Sequence, residues 1–479
     1  VKIRSQRFGT NDFPSQYEVV MSATLNKTDL TGGNNKFYQI EGHEADGEFR
    51  LYSCYGRVGH SGVEEERIPE QDIDSLKAAF DTLKSSKMSK RKGYSEVQMA
   101  STRVGSTEGN KKILSDDIKK ENLVVTDAKG KGDTKARLQL DSGVSRLVTR
   151  LYEEAGAAVR SSLSGSLQTT EENPLGTLTL TQIESGRSVL QDIQKLLTKK
   201  PKLQGSIHRD ILDLSNQFYS SIPQTMSKRP TSKAGKKAMD SWLQSMALNN
   251  DIVLDEKEDL LKLLSDVQGM VGGFATTDAD KRYADIGCEY IPLEKGGPKF
   301  RKVEKFMQST RSRHHGWGVE VVNIWGMSVK GQKSKHVGTM KKVGNVKPLF
   351  HGSRSANILG ICKSGLLMRP PGVYITGSMF GNGLYFADQS SKSEQYSTSR
   401  FGGGGSRSHT YFLFVVDVAL GKVKKYERAQ MHLSEPPGGY HSVQGTKGYS
   451  LLHNEFIIYS LGQHIMQYLI EFKPKGNHW

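Results

Sequence analysis

Between about residues 136 and 275 the apolar side chains recur at helical spacing, and on either side of that stretch short β-rich runs predominate. Ile207, Ile211, Leu214, Phe218 and Ile222 fall on one helical face, and Leu260, Leu261, Leu263, Leu264, Val267 and Val271 form a second stripe. Before the stretch, "FYQI" and "EFRLYSCYGRVG" are short β-rich runs, joined through "EGHEADG", where Asp46-Gly47 predicts a turn. After Gly273 come "GVEVVNIWGM", "KPLFHG", "GLYFAD", "TYFLFVVDVAL", "NEFIIYS" and "HIMQYLIEF", divided by Gly, Pro and Ser loops. A hydrophobic period that changes twice predicts a multidomain α+β chain. It comprises a small β-rich domain, an all-α helical bundle and a mixed or antiparallel β-rich domain. Strands do not alternate with long helices, which argues against a doubly wound parallel sheet.

The boundaries follow composition. Residues 1–103 form the first domain, whose one helix is predicted by Ile73, Leu76, Phe80 and Leu83; the cationic run "KSSKMSKRKG" follows it. Residues 104–135 are polar and rich in Lys and Gly, as in a linker or extension. The bundle occupies 136–275, punctuated by "TTEENPLG", "IPQTMSKRPTSKAG" and "ALNND", and holds no catalytic cluster. Residues 276–479 form the last domain.

Charge separates these domains further. Residues 281–479 carry 28 Lys and Arg against 12 Asp and Glu, so the whole excess of +16 lies there. That surplus suits an anionic ligand or, equally, a soluble basic face. Cys54, Cys288 and Cys362 are far apart, which argues against a disulfide scaffold and for a reducing, intracellular setting. No run approaches the ~20 apolar residues of a membrane helix, and "VKIRSQRFGT" has no secretory pattern.

Several motifs are excluded as phosphate or metal sites. "FGGGGSRS" lacks the Gly-Lys-Ser/Thr ending of a P-loop and reads as a surface loop. "FGNGLYFAD" lacks the third glycine of a dinucleotide-binding turn. His314-His315 has no neighbours of metal-ligand type, and no metal is expected. Other residues interrupt apolar runs. His351 stands where a strand stops, as a satisfied histidine or as a ligand group. Glu455, within "LLHNEFIIYS", must be paired, neutralised or functional. Tyr385, Tyr396, Lys392 and Ser393 are each compatible with ordinary core or surface positions.

Their order is more telling. His351-Gly352-Ser353, Gly383 to Asp388, Ser391-Lys392-Ser393 with Tyr396, and Asn454-Glu455-Phe456 resemble the poly(ADP-ribose) polymerase family. "PLGTLTLTQIESGRSVLQDI" and "LSNQFYSSIPQ" are similar to its helical regulatory domain, and "FYQIEGHEADGEFRLYSCYGRVGHSG" to its WGR domain. The resemblance spans almost the entire chain. It implies a WGR domain, a helical regulatory domain and an ADP-ribosyltransferase catalytic domain, without zinc fingers. NAD would be the substrate. His351 would bond the adenosine ribose, and Gly352 and Ser393 the nicotinamide carboxamide. Tyr385 and Tyr396 would sandwich the nicotinamide ring, and Phe350, Ser353 and Asn357 would complete the wall. Glu455 would stabilise the sugar cation and polarise the incoming hydroxyl, with Lys392 on the acceptor side. Tyr55, Gly56 and Arg57 replace Trp-Gly-Arg and would meet a broken DNA end, where Lys84, Lys87, Lys90, Arg91 and Lys92 could add phosphate contacts. Asp259 and Asp266 lie near the places of the acidic residues that the family sets over its NAD site.

The implied function is DNA-damage-activated transfer of ADP-ribose to protein acceptors, the chain itself included, with elongation, held off by the helical domain. Nuclear residence is implied in a eukaryotic host, and no membrane partner. Several positions depart from the pattern. Phe350 stands for Trp, Leu367 for an arginine, Asn382 for a lysine and His453 for an acceptor-site aromatic. Only "SVQGTKGYSLLH" separates His441 from Asn454. That short acceptor loop suggests one alternative, transfer of single units or short chains; a catalytically silent DNA-end scaffold that keeps the fold is the other.

Overall fold

The structure, a computed structural model, describes residues 16–58, 63–70, 72–97, 140–163, 178–312, 318–368, 379–398, 410–449 and 451–475, with residues 2–3 and 13. The expected linker 104–135, "TTEENPLG", "FGGGGSRS" and His314-His315 lie outside the described residues.

The N-terminal strands β1 (Lys2–Ile3), β2 (Gln16–Asp29), β3 (Asn34–Ala45), β4 (Glu48–Arg57) and β5 (Val63–Glu70) form an antiparallel sheet in sequence order. Asp46-Gly47 makes the predicted turn, with both residues at positive φ. Helix α1 (Ile73–Met88) starts at a capping box in which Asp72 and Ser75 bond each other's backbone, and it buries Leu76, Phe80 and Leu83 on the sheet. Ile73 belongs to the same spacing but stays exposed at the helix start. Strand β6 (Ser95–Val97) returns to pair with β2.

The bundle follows as α2 (Ser142–Ser162), α3 (Leu180–Lys199), α4 (Arg209–Ser221), α5 (Gly235–Met246), α6 (Asp251–Gln268), α7 (Val271–Phe274) and α8 (Ala279–Ile286). Side-chain caps from Asp141, Thr179, Asn250 and Asp278 satisfy amides at four of the helix starts. Ile183, Ile193, Ile211, Phe218, Leu261 and Leu264 fill the interior. The first sheet docks on it: Leu30 N–H donates to Asn216 Oδ1 at 2.8 Å and Asn35 Nδ2 to the Gln224 carbonyl at 3.0 Å.

The C-terminal unit opens with β7 (Cys288–Pro292), α9 (Pro298–Ser309), β8 (Gly318–Val329), α10 (Gln332–Val343), β9 (Val346–Gly352) and α11 (Ser355–Ser364). It closes with β10 (Leu384–Phe386), α12 (Ser390–Ser397), β11 (Tyr411–Ala419), β12 (Val423–Tyr426), β13 (Ser442–Gly445), β14 (Glu455–Ile458) and β15 (His464–Lys475). One sheet runs β7-β8-β15-β11-β9 and the other β10-β14-β13-β12, antiparallel except between β12 and β13. The two sheets touch where Phe350 and Ala387 exchange backbone hydrogen bonds of 2.8 and 3.0 Å. Arg150 of α2, reaching Glu471 and Thr410, helps fix the bundle to this unit. Among the described residues no helix is long and apolar enough to cross a membrane.

Candidate active site

At the Phe350–Ala387 bridge the two sheets meet, and just beyond it β9 stops. Successive strand residues face opposite ways. Phe350 is therefore fully buried, its ring stacked on Phe306 at 4.7 Å, whereas His351 remains partly open beside Phe386. This corrects the expectation that Phe350 lines a cofactor wall. It is a core aromatic, and its polar neighbour faces the cleft.

His351 Nδ1 lies 3.0 Å from the Tyr385 carbonyl. A carbonyl only accepts, so Nδ1 carries the proton and Nε2 presents a lone pair. Desolvation, opposed by the hydrogen bond to the Tyr385 carbonyl and aided by the nearby Lys262 charge, holds the imidazole down at about 4. The ring is therefore neutral near pH 7. Gly352 ends the strand against α12, and a Cβ there would collide with the Ser393 carbonyl. The glycine is thus needed for backbone packing as well as for access from the cleft. Ser393 is buried and donates its hydroxyl to the Phe350 carbonyl at 3.2 Å, so towards a ligand it offers lone pairs. Asn357 Nδ2 donates to Ser353 Oγ at 3.4 Å at the cleft edge.

The second sheet brings the carboxylate. Strand β10 pairs with β14 so that Tyr385 opposes Ile457, and Glu455 heads β14 across from Gly445. Glu455 is 7 % exposed. Its Oε1 accepts from Lys392 Nζ at 2.6 Å, while its buried Oε2 has no hydrogen-bond partner among the described residues. An acceptor held dry with half of its capacity unused is costly unless a ligand's hydroxyl or a positive charge meets it. Desolvation lowers the Lys392 ammonium, and the Glu455 charge opposes this. Asn454 Nδ2 donates to Asp388 Oδ2 at 2.9 Å, anchoring the turn that carries Glu455. Tyr396 is 48 % exposed, and desolvation of its hydroxyl followed by the Glu455 charge pushes it up to about 12. Tyr385 uses its hydroxyl structurally, donating to the Gly381 carbonyl at 2.8 Å and accepting from Phe380 N–H at 3.0 Å.

Helix α6 lies across the outer edge of this cleft. Asp259 Oδ2 stands 4.0 Å from Arg354 Nη2, and Asp266 packs on Gly360 of α11, with burial raising its carboxyl. Both acids identified in the sequence therefore meet α11 or the turn before it. Lys262, between them and felt by His351, was not identified; a lone lysine among many carries no local signal.

At the other end of the molecule, Tyr55 stacks on Tyr38 at 5.1 Å, with Lys87 Nζ 3.6 Å from the Tyr38 ring centre. Gly56 pairs with Phe37 in the sheet. Arg57 Nη2 reaches the Ser227 carbonyl of the bundle at 3.3 Å. The cationic run divides. Lys84 pairs with Glu96 at 2.7 Å and Lys92 donates to Ser86 at 2.8 Å, while Lys90 and Arg91 are exposed.

Three family models match the chain in succession. They are the WGR domain over residues 21–101, the poly(ADP-ribose) polymerase regulatory domain over 139–281 and the poly(ADP-ribose) polymerase catalytic domain over 298–450. Poly [ADP-ribose] polymerase 1 of Arabidopsis thaliana is 26% identical over 95% of this chain and 47% of its own length. Poly [ADP-ribose] polymerase 2-A of Oryza sativa subsp. japonica is 27% identical over 94% and 69%, and the human poly [ADP-ribose] polymerase 2 is 26% identical over 94% and 79%. The chain thus spans about half the length of the first of these relatives and more of the other two.

Proposed function

Because the chain belongs to the poly(ADP-ribose) polymerase family, we propose that it transfers ADP-ribose from NAD to protein, extends the attached unit into a chain and releases nicotinamide. The observation that carries this reading is Glu455, buried, fixed by Lys392 through one oxygen and, among the described residues, unpartnered at the other. When the C1″–N bond of NAD breaks, nicotinamide leaves with the electron pair and the ribose becomes cationic. An acceptor oxygen then bonds C1″ and gives up its proton. A preorganised carboxylate beside the sugar stabilises that charge without reorganising, and it can hold a ribose hydroxyl through Oε2. Neutral His351 accepts a hydroxyl of the adenosine ribose. Ser393 accepts from the nicotinamide amide, the Gly352 backbone bonds the same group, and Tyr385 and Tyr396 flank the ring. Ser353 and Asn357 lie at the entrance.

Gating belongs to the same proposal. With α6 seated on α11 and on Arg354, the helical domain restricts the NAD cleft, and damaged DNA at the N-terminal sheet favours the open state. Tyr55, Arg57, Lys90 and Arg91 are the residues proposed to meet that DNA. Such a role implies an intracellular site of action, nuclear in a eukaryotic host. Nicotinamide release from NAD by the parent chain and by Glu455→Gln tests the chemistry. The parent should release nicotinamide at least about 100-fold faster than the variant, at similar NAD affinity. Equal release by both would remove Glu455 from the reaction.

A further inference from the structure

Helix α12 carries Lys392, Ser393 and Tyr396, and its seating is polar. Its buried residues are Ser390, Ser391, Ser393, Glu394 and Ser397, with no apolar side chain among them. Apolar burial is non-directional and tolerates a range of helix positions, whereas a hydrogen bond selects one. At eight residues the helix has little stability of its own, so its tertiary contacts decide where it lies. Towards the sheet, Ser393 donates to the Phe350 carbonyl and Ser397 Oγ to the Phe412 carbonyl at 2.6 Å. The other partners come from the end of α9 and the turn after it. Ser390 Oγ donates to the Met307 carbonyl at 2.7 Å, Ser312 N–H donates to Ser391 Oγ at 2.9 Å, and the Arg311 guanidinium pairs with Glu394.

The last of these contacts is the charged one. The Glu394 side chain is wholly buried and that of Arg311 nearly so. An ion pair taken out of water adds little stability over an apolar pair of the same volume, although losing one partner strands the other's charge. What the pair supplies is geometry, because a charge-assisted bond from a planar guanidinium is short and narrow in angle. Glu394 follows Ser393 directly in the chain, and the Ser393 carbonyl packs closely on the end of β9. A Cβ on Gly352 would stand 1.8 Å from that oxygen. Helix α12 is therefore wedged between the Arg311 turn and Gly352. Any shift of Glu394 alters the spacing of Ser393 from the Gly352 backbone. Lys392 and Tyr396, four residues apart, share another face of the helix.

We propose that Arg311 is a positioning residue for nicotinamide recognition: acting through Glu394, it sets the place of α12 against β9, and with it the grip of Ser393 and Gly352 on the carboxamide. The proposal rests on the transferase reading, which assigns the carboxamide to those two residues. Arg311 touches no substrate in this account. Its effect is confined to the nicotinamide end of the cleft, since His351, which takes the adenosine ribose, is held by the Tyr385 carbonyl instead.

The test titrates nicotinamide and ADP-ribose separately into the full chain by calorimetry, with nicked duplex DNA present to open the cleft. The proteins are the parent, Arg311→Gln and the double variant Arg311→Met with Glu394→Leu. The double variant strands no charge, so it folds even where Arg311→Gln does not. Nicotinamide affinity should fall about ten-fold in each variant, while affinity for ADP-ribose, which lacks the carboxamide, stays within about two-fold. In nicotinamide release, the KM for NAD should rise about ten-fold with kcat within about three-fold. Unaltered nicotinamide affinity in the double variant would overturn the proposal. So would an equal loss for both ligands, which would assign the pair to general packing. A parent chain that binds nicotinamide with this dependence on Arg311 yet releases none from NAD would support the positioning role and contradict the transferase reading.

Discussion

At the level of single residues, the position of a polar group within an apolar run was the readable signal, and its partner was not. Glu455 among apolar β residues and His351 at a strand end both stand out in the sequence. That Lys392 occupies one carboxylate oxygen, or that the Tyr385 carbonyl fixes the imidazole tautomer, depends on contacts 63 and 34 residues apart in the chain. Phe350 was misassigned because adjacent strand residues face opposite ways, and its partner Phe306 lies on a different element. Glu455→Gln keeps the shape of the site but removes its charge. Turnover should fall by about 100-fold or more while NAD affinity stays within about three-fold, measured by nicotinamide release and calorimetry. His351 and His464 are both held at about 4 by burial, against 6.5 when exposed. In that range the unfolded chain binds more protons, so this stability is complete above pH 6.5 and declines as the pH falls towards 4. Unfolding free energies from urea titrations at pH 7 and pH 5 should differ by on the order of 4 kcal/mol, about 2 from each histidine. Equal midpoints would contradict the buried, neutral assignment.

At the level of elements, hydrophobic period located the helical bundle and the β-rich runs, because burial on one face leaves its mark locally. The junctions between elements left no such mark. The cationic run that begins in the last turns of α1 illustrates this: Lys84 and Lys87 are engaged by Glu96 and Tyr38, from strands, while Lys90 and Arg91 remain exposed. Gly352 and Gly360 are further examples. A Cβ at Gly352 would strike the backbone of α12, which cannot yield as a side chain can, so Gly352→Ala should cost about 2–3 kcal/mol in urea unfolding. At Gly360 a Cβ would strike the Asp266 carboxylate of α6. Alanine favours α11 itself by up to about 1 kcal/mol, so any loosening would come from the α6–α11 contact. Gly360→Ala should raise DNA-free nicotinamide release several-fold; an unchanged basal rate would mean that this contact does not restrain the cleft.

For the molecule as a whole, the order of three differently patterned units was legible from sequence, while their docking was not. Arg57 shows the difference: it was recognisable as part of a motif, but its bond to the Ser227 carbonyl exists only because the first sheet packs on the bundle. Arg57→Ala should therefore lower DNA stimulation about ten-fold and leave the DNA-free rate unchanged. Loss of the DNA-free rate as well would assign Arg57 to folding instead of signalling. The most direct test of the account uses the full chain with labelled NAD, with and without nicked duplex DNA, and separates the products by size. A labelled ladder above the protein that strengthens with DNA is expected. No label under either condition would contradict the transferase, and an equally strong ladder without DNA would contradict the gate.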